Sequence, residues 1–341
     1  MNLTTQYLGL KLRNPLVASA SPLAGTPDGV RALADVGVAA VVLPSLFEEE
    51  LRREAGQDAA LAGAGTDSFP ESLSYFPAAA ESEPGPRHYL SLVKRAVAAV
   101  DVPVIASLNG VTTGGWTDYA SALEDAGAAA IELNVYHLAG DPPPTSPVPF
   151  VSGRDVEQRL VEILTTVKAV VRIPVAVKLS PYFSSPGEVA LRLDRVGADG
   201  LVLFNRWLQP DIDPETLGVT RGFGLSARDE GRLPRAWIAR LAGHVHASLA
   251  GSTGVTDATD VLGYLLAGAD VVMTTSALLR NGPGYAGTLL DELDSWLRRK
   301  GFTDVAAVRG KLAVPATPGS ERAGYVSTLR TANQGTGPWP G

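Results

Sequence analysis

The feature that most constrains the fold is a set of eight short apolar runs, each bounded by glycine or proline and each too short for a buried helix. They occupy residues 15–20 (PLVASA), 39–46 (AAVVLPSL), 103–108 (PVIASL), 129–135 (AAIELNV), 174–180 (PVAVKLS), 200–205 (GLVLFN), 245–252 (VHASLAGS) and 271–278 (VVMTTSAL). Such runs suit strands buried on both faces, as in a parallel sheet covered by helices. VGVAA, VDVPV, AGAAA, RIPVA, VGADG and AGADV punctuate the re-entries, where a helix stops and the chain returns to the sheet. Eight such units close a (β/α)8 TIM barrel, predicted over residues 1–311. Residues 3–13 alternate polar and apolar side chains around Gly9 and read as a β-hairpin plugging the barrel floor.

Charge and cysteine content narrow the function. The net charge is -7, and the longest basic run is Arg298, Arg299 and Lys300, so there is no basic surface to displace nucleic-acid counterions. That run reads instead as a helix C-terminus meeting its own dipole. The chain has no cysteine, which excludes disulfides, thiolate nucleophiles and iron–sulfur clusters from this polypeptide and leaves any cluster to a partner. No apolar stretch approaches the ~18 residues of a membrane span, and MNLTTQYLGLKLRN lacks a signal-type apolar region, so a cytoplasmic protein is expected. No metal site is expected.

Two long loops, 48–89 after strand two and 140–153 after strand four, follow strand C-termini, where barrels build active sites. Phe69, Tyr75 and Phe76 mark the first as a folded lid; PPPTSPVP makes the second irregular. The tail 312–341, rich in Gly, Pro, Ser and Thr, reads as irregular.

The strongest local chemistry lies at strands seven and eight, in AGSTGV (250–255) and TTS (274–276). Small residues and hydroxyls there allow close approach of a phosphate, which implies a phosphorylated ligand. Lys178, Asn134 and Asn205 end strands five, four and six, and a polar side chain closing an apolar run needs a polar partner. For Lys178 a solvated strand end is the competing reading.

Taken in order, these segments resemble the dihydroorotate dehydrogenase family, in its soluble class and its dihydroorotate dehydrogenase-like branch, from about Leu3 to Leu297. The resemblance rests on YLGLKLRNPLVASASP, IELN, AVKLSP, the FN pair, GLS, AGSTGV and LLAGADVVMTTSALL. It implies FMN, a CH–CH oxidation such as dihydroorotate to orotate in pyrimidine biosynthesis, and a homodimer. By the same resemblance Ala18 and Ser19 lie against the flavin, while Asn109, Asn134, Lys178 and Asn205 meet its polar edge. Gly224, Ser226, Gly251, Thr253, Gly254, Thr275 and Ser276 hold its phosphate.

Departures concern the substrate. The family's flavin-facing Lys-Thr or Lys-Ser at strand two is replaced by Leu43-Pro44-Ser45, and its Asn-x-x-Cys/Ser-Pro-Asn loop reads Asn134-Val135-Tyr136-His137-Leu138-Ala139. His137 falls where the base belongs, and an imidazole's unperturbed pKa of ~6.5 suits a general base near neutrality, with Tyr136 as the fallback acid or base. Asn134, Asn205 and Arg206 are the substrate candidates, Arg206 as a cation for a carboxylate or else in a surface ion pair. His246 reads as a satisfied residue within strand seven. Two other readings stand beside this one: a phosphate-binding barrel lyase or isomerase using Lys178 without flavin, and a flavin-binding electron-transfer subunit without catalysis. The electron acceptor, and a separate electron-transfer partner, are left open.

Overall fold

The computed structural model describes residues 1–53, 85–110, 116–136, 150–206, 211–220, 224–314 and 320–333. The chain opens with β1 (Thr5–Tyr7) and β2 (Leu10–Leu12), paired antiparallel with Tyr7 opposite Leu10. The two residues between, Leu8 and Gly9, both have positive φ, the signature of a tight hairpin turn whose twist matches its strands.

All eight apolar runs form strands. They are β3 (Leu16–Ala18), β4 (Ala40–Phe47), β5 (Val104–Asn109), β6 (Ala130–Asn134), β7 (Val175–Lys178) and β8 (Gly200–Leu203), then β11 (Ser248–Ser252) and β12 (Val271–Thr274). Between β8 and β11 a small antiparallel hairpin, β9 (Asp211–Asp213) and β10 (Gly218–Thr220), stands outside the barrel. The eight strands are all parallel and close in sequence order, β12 pairing with β3. This is the (β/α)8 barrel that the runs predict. Glycine punctuation works as expected at Gly127 and Gly268, whose φ values of 91° and 120° end their helices in a conformation that a side chain would strain. Arg298, Arg299 and Lys300 close the helix Tyr285–Lys300, as their charge suggests.

Side-chain parity divides the barrel into two zones. Toward the floor, Ile105, Ala130, Ala176, Val202 and Ala250 face inward and form one apolar cluster with Tyr7, Leu8 and Leu12 of the hairpin. The hairpin is thus the floor plug. Two residues further along β5, β6 and β7 the same inward face carries Ser107, Glu132 and Lys178, so the interior turns polar toward the C-terminal mouth. β4 interrupts its pairing with β5 between Val42 and Ser45. Pro44, which has no N–H to give the ladder, sits in this irregularity. Val42 packs in the inner cluster while Leu43 and Leu46 pack in the outer one, and Ser45 takes the inward position that regular alternation would give residue 44.

Several boundaries differ from the sequence reading. The eighth run ends its strand at Thr274, and Ser276–Asn281 turns helical. The seventh strand starts at Ser248, so His246 is not a barrel residue; its exposed ring pairs with Asp194 at 3.2 Å on the outside. Asp194 meets burial that opposes ionisation, yet the backbone N–H of Ala247 and the His246 contacts hold its carboxyl below the ordinary range. In the tail read as irregular, Ser320–Asn333 is helical. The ends of the first long loop, residues 48–53 and 86–89, are also helical, while its aromatic residues and 140–149 of the second loop lie outside the described residues.

Gly251 of β11 faces outward, where an added Cβ would come within 2.2 Å of the Tyr264 ring. Gly251→Ala is therefore expected to lower stability by about 1–3 kcal/mol, read as a fall in denaturation midpoint at unchanged m-value.

Candidate active site

A recess of about 250 Å³ opens at the C-terminal mouth between β3, β7, β8, β11 and β12. Ser19, Lys178, Asn205, Arg206, Gly224, Ser226, Thr253, Thr275 and Ser276 line it, which brings together most of the residues singled out from sequence. Ser252, Met273, Thr274 and Phe204 complete the wall.

On the β7 side, Lys178 is 8% exposed and Glu132 1%, with Nζ 3.2 Å from Oε1. Lys178 Nζ also donates to Ser19 Oγ at 3.3 Å. Asn134 Nδ2 donates to Ser107 Oγ at 2.8 Å and reaches Glu132 Oε1 at 3.5 Å. Because a carboxylate only accepts, these contacts turn the carboxamide nitrogen inward and leave Oδ1 for another donor. Ser107 Oγ meets Ser45 Oγ at 2.8 Å, so the displaced inward position on β4 joins the same network. Tyr89, on the helix Pro86–Ala99, accepts from Ser107 N at 2.9 Å and donates to Ser107 O at 3.2 Å. Burial pushes its hydroxyl well above the usual tyrosine range, which keeps it a donor. Asn109 closes β5 beside Asn134 in register, and Ala18 is fully buried at the end of β3. Neither lines the recess. Tyr136 lies half-buried two residues beyond Asn134; His137 lies outside the described residues.

On the other side, hydroxyls converge. Ser226 Oγ and Ser276 Oγ are 3.0 Å apart, Ser226 N donates to Ser276 Oγ at 3.1 Å, and Gly254 N donates to Ser226 Oγ at 3.2 Å. Arg280 fastens this turn through Ser226 O at 2.9 Å. Thr253 has a φ of 80° and donates to Phe204 O at 3.1 Å, while the Tyr264 hydroxyl reaches the carbonyls of Ser252 and Thr253 at 2.8 and 2.6 Å. Ser19 joins the two halves: its hydroxyl meets Lys178 and its carbonyl accepts from Thr275 Oγ1 at 3.1 Å.

Gly251, Gly254 and Arg206 are engaged by the protein itself, Arg206 in the ion pair that is its alternative reading. Gly251 and Gly254 do not line the recess: Gly251 makes room for Tyr264, and a Cβ on Gly254 would come within 2.3 Å of Gly231 N. They shape the phosphate-side turn from behind, Gly254 also through its N–H. Arg206 does not present an unengaged guanidinium, since Nε and Nη2 grip Glu230 at 2.9 and 3.3 Å and Nη1 meets Gly224 O. Burial opposes ionisation of Glu230, but the bonds from Arg206 and from Ala227 N outweigh it and hold the carboxyl below its ordinary value. The sequence reading passed over Glu132, Ser107, Tyr264 and Glu230. The first two were visible as polar residues inside the apolar runs IELN and PVIASL; Tyr264 and Glu230 come from helices with no local signal.

Fold and recess together define a barrel enzyme with a buried cation at one end of its ligand site and a hydroxyl-rich turn at the other. Residues 80–297, well over half the chain, match the family described as dihydroorotate dehydrogenase. The dihydroorotate dehydrogenase B (NAD(+)) catalytic subunit of Methanocella arvoryzae is 30% identical over 316 residues, 88% of this chain and 94% of the relative. The corresponding subunit of Halalkalibacterium halodurans is 31% identical over 218 residues, 63% of this chain and 69% of the relative. The chain belongs to the dihydroorotate dehydrogenase family, a family of flavoproteins, and is an oxidoreductase acting on a CH–CH bond. Among the described residues no helix is long and apolar enough to cross a membrane.

Two outcomes follow from the site's electrostatics. Lys178→Met strands Glu132 as a buried, unpaired carboxylate and is expected to cost about 3–5 kcal/mol in chemical denaturation, much of it recovered when Glu132 is also replaced by Met. The Arg206–Glu230 latch contributes fully above the unfolded carboxyl value near ~4.3 and is lost as pH falls through the lower folded value, so Glu230→Gln should flatten the acid limb of a Tm-against-pH curve.

Proposed function

We propose that this chain is an FMN-dependent dehydrogenase that removes a hydride and a proton from a CH–CH unit of a small cyclic amide or carbonyl compound, with dihydroorotate to orotate the first reaction to test. The observation that carries this reading is the buried Lys178, held by Glu132 and Ser19 at the edge of the recess. An ammonium has three N–H donors, and these contacts use two, which leaves one for an electron-rich edge of a ligand. Thr274 Oγ1, on the same wall, is buried without a partner. A cationic donor, an unmet hydroxyl and a turn of serines and threonines suit a flavin carrying a phosphate. Ser226, Thr253, Thr275, Ser276, Gly224 and the N–H of Gly254 would take the phosphate. Lys178, Asn109, Asn134 and Asn205 would take the polar ring edge, with Ala18 and Ser19 against the ring.

Bound FMN would supply the hydride acceptor. The chain then has to bind, orient and deprotonate. His137 is the proposed base, accepting the proton at a neutral imidazole nitrogen, and Tyr136 is its alternative. Asn134 Oδ1, with Nδ2 committed to Ser107, suits a ligand N–H. Asn205 and Arg206 are the further substrate candidates, Arg206 after release from Glu230. Lys178 is engaged by Glu132 and Ser19 at the edge of the recess, which disfavours the lyase reading. Relatives named as catalytic subunits, and the absence of cysteine here, favour a separate electron-transfer partner; the homodimer is proposed on the family resemblance alone.

The test is the visible spectrum of the purified protein, then anaerobic addition of dihydroorotate. A yellow protein that bleaches supports the full reading, and His137→Ala should then bleach about 10²–10⁴-fold more slowly. Yellow protein that stays yellow keeps FMN and rejects dihydroorotate; a colourless protein that takes up no FMN rejects the reading.

A further inference from the structure

The proposed function uses Lys178 but not what stands beneath it. Glu132 is fully buried, and its second oxygen, Oε2, has no hydrogen-bond partner; neither has the buried hydroxyl of Tyr7. These two orphans lie in the same part of the barrel. Tyr7 comes from the floor hairpin, and its ring lies next to Gly200, where an added Cβ would come within 3.5 Å of Tyr7 Cε2 and 3.3 Å of Ala176 Cβ. Ala176 is the register partner of Glu132 on the adjacent strand. Leu8 Cδ2, at 2.5 Å from that Cβ position, fills the space, and the Tyr7 ring borders it beside the residue that pairs with Glu132 across the ladder. Burial, with Glu132 next and Asp270 after it, pushes the Tyr7 hydroxyl well up, so the carboxylate's field reaches it and the hydroxyl keeps its proton.

A buried carboxylate oxygen and a buried phenol left without partners each forfeit their hydration, and native cores meet such groups with an ordered water. We propose that Tyr7, Glu132 and Lys178 form one hydrogen-bonded column along the barrel interior, closed by an internal water between Tyr7 Oη and Glu132 Oε2, and that Glu132 is thereby a positioning residue for the cation that meets the flavin. The column links the hairpin plug to the ligand site. Tyr7 fixes one oxygen of the carboxylate, Asn134 and Lys178 share the other, and a carboxylate held at both oxygens cannot rotate away from Nζ.

This inference rests on the FMN reading for its consequence but not for its geometry, so its test has two arms. In the flavin-free protein, infrared difference spectra of wild type against Tyr7→Phe, with 13C-labelled glutamate identifying the band, are expected to show a shifted Glu132 carboxylate stretch; an unshifted band overturns the column. In the loaded protein, Glu132→Gln is expected to weaken FMN binding at least about tenfold and to move the flavin's midpoint potential, with Glu132→Asp restoring part of both. A Glu132→Gln protein with wild-type affinity, spectrum and potential removes Glu132 as a positioning residue. Should that variant fail to fold, Tyr7→Phe, which removes only the hydroxyl, carries the potential measurement alone: an altered potential supports the column and an unaltered one rejects it. A wild type that takes up no FMN fails the functional reading and leaves the infrared arm standing.

Discussion

The pairing of Lys178 with Glu132 is the contact on which the rest of the catalytic end depends. Neither charge is stable in a dry barrel without the other, and neither is stable unless its remaining hydrogen-bonding capacity is met. Much of the surrounding architecture serves that need. Ser19 takes a second hydrogen of the ammonium, Asn134 approaches the shared carboxylate oxygen, and Ser107 anchors Asn134. The hairpin plug and the apolar lower zone keep bulk water from the pair, which strengthens its attraction and raises the cost of losing either member.

The two ends of the ligand site are joined through one short segment. Ser19 touches the cation with its side chain and Thr275 with its carbonyl, and its N–H bonds to Thr274 O at 3.0 Å. A displacement at the end of β3 therefore reaches both halves at once. The phosphate-side turn is braced by Tyr264 on two carbonyls, Arg280 on a third, and the Arg206–Glu230 latch across Gly224.

The barrel was legible because its strands are buried on both faces and so cannot alternate, leaving uninterrupted apolar runs that glycine and proline separate cleanly. The hairpin was legible because its two faces differ. Lys178, Asn134 and the Ser/Thr turn stood out as polar residues ending apolar runs. What stayed hidden depends on three-dimensional neighbours. Nothing near Gly251 shows that its missing side chain is needed by an aromatic ring thirteen residues on, and nothing near Arg206 announces Glu230. The extent of β11, and with it the outward place of His246, turned on three residues at a strand's start, where periodicity is least informative. The helix Ser320–Asn333 escaped because the Gly, Pro, Ser and Thr content of the tail, and not the spacing of Tyr325, Val326, Leu329 and Ala332, set its reading.

The irregularity at Pro44 changes what the absent lysine of strand two means. Comparison column by column treats the difference as one side chain exchanged for another. The pairing of β4 with β5 shows a change of phase, since the inward position has passed from residue 44 to Ser45, which closes the polar network through Ser107. A lysine written at position 44 on the present backbone would inherit the wrong side of the strand, and regaining the inward one would require the strand to lose its extra residue, releasing Ser45 from Ser107. The polar network at the mouth is thus tied to the phase of β4 as firmly as to its side chains, and a single substitution at position 44 leaves that phase unchanged.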